Sequence, residues 1–126
     1  MKRFALFLVL AALSTTLAAC GGAAAPGGSG GAYNTDFPLP TSVSNFTDTG
    51  NGSINFQTKM SIEDTVAFYR EAFTKAGLTE RTINTSITDT TFSMVFDGDA
   101  SGIAVVVQGV DLGNGITNVN LRHEDV

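Results

Sequence analysis

One stretch of this chain, Ile62 to Ala76, repeats its apolar residues at helical spacing, and strand-like segments surround it on both sides. That asymmetry limits the fold to a sheet with a single helix to cover it. Ile62, Val66, Tyr69, Phe73 and Ala76 share one stripe, while Glu63, Arg70, Glu71 and Thr74 fall opposite. Ser61-Ile62-Glu63-Asp64 has the form of a capping box, with a hydroxyl to accept from first-turn amides and carboxylates at the positive end of the helix dipole. Glu71 precedes Lys75 by one turn, and Gly77-Leu78 reads as a stop with its hydrophobic contact. A helix over 62–76 is predicted.

The remaining segments alternate. Ile54 and Phe56 share one face of 53–58, and Gly50-Asn51-Gly52 predicts a hairpin from a weaker strand holding Val43 and Phe46. After the helix, strands are expected over 79–88, 91–97, 103–110 and 116–123. The breaks between them, Asp89-Thr90, Gly98 to Gly102 and Asp111 to Gly115, are rich in turn residues. Short turns imply consecutive antiparallel pairs. The expected architecture is α+β: an antiparallel sheet of five to six strands with one amphipathic helix on one face, in the order ββαββββ. Phe92, Met94, Phe96, Val119 and Leu121 should point to the helix, with Asn118, Asn120 and Arg122 toward solvent.

Ile103-Ala104-Val105-Val106-Val107 does not alternate, as expected of a strand covered on both faces, although one helix covers one face. Two expectations follow. Either Phe37-Pro38-Leu39-Pro40, held extended by its prolines, crosses the second face and covers Val95 and Val106. Or Val95, Ala104 and Val106 stay exposed there as an interaction face, with Phe68 at the edge of the helix stripe as a further contact.

The single cysteine lies far from these segments. Met1-Lys2-Arg3 is cationic, Phe4 to Leu13 is almost wholly apolar, and Leu17-Ala18-Ala19 places small residues before Cys20. These are the parts of a secretory signal, and Ser14, Thr15 and Thr16 interrupt the run before the ~20 apolar residues that a span requires. Leu17-Ala18-Ala19-Cys20 resembles the lipobox of bacterial lipoproteins. That resemblance implies cleavage by signal peptidase II before Cys20 and a diacylglycerol on its sulfur, with no cofactor besides this covalent lipid. It also implies anchorage on the extracytoplasmic side of the cell membrane or the outer membrane. Two or more acyl chains hold stably, at ~0.8 kcal/mol per buried methylene. The expected organisation is a signal peptide over 1–19, a lipidated Cys20 with a Gly/Ala tether over 20–32, and a small domain over 33–126. The tether's typical span is roughly 20 Å. Beyond Cys20 the chain has no cysteine, so the domain must be held by packing alone. Phe68-Tyr69 on a capped helix ending at Gly77, ahead of an antiparallel sheet, also loosely resembles small bacterial lipoprotein domains, a likeness that implies no activity.

Lys2 and Arg3 leave with the signal, so five basic residues face twelve acidic ones, a balance of −7. Such a surface repels phosphate backbones and anionic headgroups, which argues against nucleic acid as a partner. Asp97, Asp99 and Ser101 lie in an Asp-x-Asp-x-Ser-Gly stretch that resembles the first half of a calcium loop. The position where that loop carries a bidentate Glu holds Gln108, and the flanks read as strand. A turn explains the same letters, and no metal is expected. His123 stands beside Glu124 and Asp125, but no Gly-x-Ser-x-Gly elbow presents a serine. Three functions are consistent with the residues: a non-enzymatic interaction module tethered at the envelope, with a protein or envelope partner; a carrier holding an apolar ligand among Phe56, Tyr69, Phe73, Phe92, Met94 and Phe96; and a hydrolase using His123 with a carboxylate.

Overall fold

Helix α1 spans Ile62–Lys75 and begins where the cap predicts: Ser61 is extended, and its hydroxyl accepts from the Asp64 amide at 3.0 Å. It ends in a Schellman pair, with the Gly77 amide donating to Thr74 at 3.0 Å and the Leu78 amide to Phe73 at 2.9 Å. Leu78 then packs against the core. The computed structural model describes residues 33–126. Leu17, Ala18, Ala19, Cys20 and the 20–32 tether lie outside the described residues.

Seven strands form one antiparallel sheet around this helix. They are β1 (Ser44–Gly50), β2 (Ser53–Thr58), β3 (Thr79–Glu80), β4 (Ser86–Ile87), β5 (Thr91–Asp97), β6 (Ala104–Gly113) and β7 (Ile116–Glu124). The spatial order is β1-β2-β7-β6-β5-β3, with β4 also paired to β5. The α+β class stands, with more sheet than helix. Two hairpins close through Asn-Gly: Asn51 and Gly52 have φ of 55° and 73°, as do Asn114 and Gly115. Positive φ at both central residues is what a type I′ turn requires, and its twist matches that of the strands it joins.

Two departures from the expected ββαββββ order have local causes. The strand expected over 79–88 breaks into β3 and β4, because a 3-10 turn at Thr82–Asn84 lifts three residues off the edge of β5. The Thr85 hydroxyl bonds Glu80 at 2.7 Å and the Asn84 amide bonds the Arg81 carbonyl at 2.9 Å, so the excursion closes on itself. β6 in turn starts one residue later than expected, at Ala104, and runs on to Gly113, because an irregularity between Asp111 and Gly113 absorbs residues expected in the turn.

The helix-facing side of the sheet forms the main core. Phe92, Met94, Phe96, Val119 and Leu121 lie there as expected, with Ile54, Phe56, Val105 and Val107, beneath Ile62, Val66, Tyr69 and Phe73 of the helix. Phe37 and Leu39 are buried in this same cluster, and the Tyr69 hydroxyl donates to the Pro38 carbonyl at 3.1 Å. Residues 37–40 therefore run beside the helix, which corrects the expectation that they cover Val95 and Val106. The helix is too narrow to cover the breadth of the sheet, and this segment completes the layer.

The second face is buried over a small area. Val95, Ala104 and Val106 are only 6%, 6% and 3% exposed and form their own small cluster, so they are not the open interaction face expected from the sequence. Cross-strand register places Val106 between Val95 and Arg122, and Ala104 opposite Glu124. Arg122 bonds Glu124 and Gln108, while Arg81 reaches from the edge to Asp97 and to the Val126 carbonyl at 2.8 Å. The heads of both arginines are thus paired beside this small cluster. Phe68 is half-buried, edge-on to Tyr69 at 5.0 Å, and belongs to the rim of the main core.

Candidate functional site

A groove of about 770 Å³ lies between the first half of α1, the β4–β5 turn and the β6–β7 end of the sheet. Three distant parts of the chain meet there. Thr117 fixes one wall by donating to the Met60 carbonyl at 2.7 Å, just ahead of the helix cap. The opposite wall is the turn after β4, where Thr88 and Thr91 are bonded through hydroxyls and backbone, and the Asp111 amide donates to the Thr90 carbonyl at 2.7 Å. The apolar lining comes from Met60, Ile62, Val66, Ala67 and Ile87. Ile87 is 43% exposed, unusual for a large aliphatic side chain pointing to the core side of a sheet.

Polar groups stand around that floor. Glu63, Asp89, Asp111 and Arg70 line the groove, and the Arg70 guanidinium is held by both oxygens of Glu80, at 2.9 and 3.1 Å. That fork keeps the Glu80 carboxyl below its ordinary range, with the Thr85 hydroxyl adding to it. A groove with an apolar floor and a charged rim suits a side chain or segment of another molecule.

A second polar cluster lies at the other end of the strands. His123 Nε2 is 3.3 Å from Asp99 Oδ2, and its ring stacks on Phe37 with centroids 5.0 Å apart. Cavities of about 230 and 220 Å³ flank this pair, and both are lined by Phe37, Asp36 and His123. Asp99 also accepts from the Ser101 amide at 2.8 Å. The carboxylate thus stands between Ser101 and His123, whereas a nucleophilic triad needs the imidazole between hydroxyl and carboxylate.

The structure commits the two calcium-loop carboxylates to different partners. Both oxygens of Asp97 are engaged by Arg81, at 2.6 and 3.0 Å, while Asp99 turns to Ser101 and His123. Among the described residues no group of three or more His, Cys, Asp or Glu side chains comes together to hold a metal ion. The six residues considered as a ligand chamber are core. Phe56, Tyr69, Phe73, Phe92, Met94 and Phe96 are at most 3% exposed, with Tyr69 stacked on Phe73 and Phe73 against Phe96 at 4.8 Å.

In the sequence Asp89 and Asp111 have only the character of turn residues, and nothing in the pattern singles out Met60. The available signal was Ile87 itself, an aliphatic residue two positions before a turn aspartate that belonged to no predicted stripe.

These pairs predict an acid response. Hydrogen bonds hold the carboxyls of Glu80 (from Arg70), Asp97 (from Arg81) and Asp99 (from Ser101, then His123) below their ordinary values. Lowered folded values mean stability that is present above the unfolded values near ~4 and lost as pH falls through the folded ones. The urea midpoint should fall below about pH 4, and Glu80→Gln should make that fall shallower; an unchanged slope in the variant would remove the Arg70–Glu80 pair from the account.

Comparison with protein-family models, curated proteins and solved structures finds no match to this chain, and the functional reading rests on its own residues.

Proposed function

We propose that this protein is a lipid-anchored interaction module of the cell envelope, with no catalytic role. In this reading Cys20 carries the lipid on the extracytoplasmic side of the membrane, and the groove beside α1 is the surface that meets a protein or envelope partner. The observation that carries the reading is the position of the groove. Tyr33, where the tether would join, stacks on Phe46 of β1 at 4.4 Å, at one edge of the sheet. The groove's outer wall follows β4, at the opposite edge. Four strand spacings of about 4.8 Å separate β1 from β5, so a domain held at Tyr33 can keep the groove clear of its own anchor. Among the described residues no helix is long and apolar enough to cross a membrane, and this reading assigns membrane attachment to the lipid.

Two measurements test the two halves. Cys20→Ala should move the protein out of the detergent-extracted membrane fraction, and unchanged fractionation would end the anchor. A photo-crosslinking residue at exposed Ala67, beside the groove, should give a discrete adduct in cells, while one at exposed Thr47 on β1 should not. Identical adducts from both positions would remove the groove from the function.

A further inference from the structure

Carboxylates outnumber cations on this domain, and three of those outside its ion pairs gather at the groove. Among the described residues each arginine has a carboxylate partner: Arg70 with Glu80, Arg81 with Asp97 and Arg122 with Glu124; Lys75 is paired with Glu71, while Lys59, next to Met60 in the chain, is in none of these pairs. Glu63, Asp89 and Asp111, which line the groove, belong to none of the domain's ion pairs. The positive end of α1 also opens toward this groove, but Glu63 and Asp64 in its first turn and the Ser61 cap already occupy it. With Arg70 matched by Glu80, what the groove offers a visitor is unmatched negative charge around an apolar floor.

We propose that the groove binds an amphipathic, cationic segment of a partner protein. Apolar side chains of the segment would sit on Met60, Val66 and Ile87, and lysine or arginine would meet Glu63, Asp89 and Asp111. This rests on the interaction-module reading above and names the chemistry of its partner. Anionic ligands are disfavoured by the same arrangement, since Arg70, the one cation among the described lining residues, is already paired. An uncharged apolar segment would leave the three carboxylates as they are in the free domain and gain nothing from them. Exposed carboxylate–ammonium contacts are individually weak and screened by salt, so the apolar floor supplies the holding contact and the rim selects the sign of charge.

The test uses the full chain in phosphatidylcholine nanodiscs and two dye-labelled model peptides, an amphipathic Lys/Leu peptide and its Glu/Leu counterpart, followed by anisotropy. The Lys/Leu peptide should bind and the Glu/Leu peptide should not. Asp89→Asn with Asp111→Asn should weaken binding roughly tenfold. Asp36→Asn with Asp48→Asn, which removes the same charge at the other end of the domain, should change it less than about twofold. Ile87→Ser should weaken binding at both low and high salt. Equal loss from the two aspartate pairs, or equal binding of the two peptides, would overturn the proposal by reducing it to generic attraction. If the adduct at Ala67 forms in cells while the Lys/Leu peptide fails to bind, the cationic partner is wrong and the interaction module stands. Failure of both removes both.

Discussion

Tyr69→Ala should cost the domain about 3–5 kcal/mol, the range for removing a large buried ring. Tyr69 is fully buried at the centre of α1, stacked on Phe73, edge-on to Phe68 and bonded through its hydroxyl to Pro38. Burial also pushes its phenol well above the ordinary value, so it stays a neutral donor. A domain of this size has a stability of order 5–15 kcal/mol, and each kcal/mol shifts its melting point by about 4–8 °C. The alanine variant should therefore melt at least ~12 °C lower. Tyr69→Phe separates the two roles of the side chain. It keeps the ring and leaves the Pro38 carbonyl without its donor, at about 1–2 kcal/mol, and the loss should show as faster proteolysis near residues 33–40. Equal melting points for the two variants would mean that the ring does not carry the core.

Gly109→Ala is the second large effect, and it comes from crowding where the first comes from a cavity. Gly109 is paired across the strands with Phe92, whose ring lies over it. A Cβ at Gly109 would stand 2.2 Å from Phe92 Cε1 and 2.8 Å from Cζ. No carbon contact survives at that distance, and Phe92 is 3% exposed, so the ring has no open side to turn toward. Overpacking of this kind costs about 1–3 kcal/mol. Phe92→Ala alone leaves a hole, but combined with Gly109→Ala it gives the new methyl room. The double variant should be more stable than the sum of the single losses predicts. Additive losses by urea titration would show that the ring and the glycine do not share the space.

What the sequence revealed tracks how local the determining physics is. The cap at Ser61, the stop at Gly77-Leu78 and the Asn-Gly hairpins are each set by a few adjacent residues, and all three are found where the residues put them. The inward faces of β5 and β7 follow from alternation. Alternation could not decide the second face of β6, because the cross-strand neighbours of Val106 and Ala104 on β7 are Arg122 and Glu124, charged residues that carry no apolar signal. The break at Thr82–Asn84 was also hidden. Thr82, Ile83 and Thr85 favour strand, but Ile83 ends 89% exposed because β5 has no register position for it. The groove needed three elements at once, and no short window of sequence contains them.

The pairing of β2 with β7 bears on how fast the domain assembles. β1–β2 and β5–β6–β7 are neighbours in sequence and can pair through short loops. Ile54, however, meets Leu121, and Thr58 meets Thr117, across the helix and four intervening strands. Closing that long loop must come before the contacts that reward it, which places the chain among slow, high-contact-order folders, on the order of milliseconds to seconds. Substitutions within the β2–β7 seam, such as Phe56→Leu, should slow refolding, whereas changes confined to the β6–β7 turn should act mainly on unfolding.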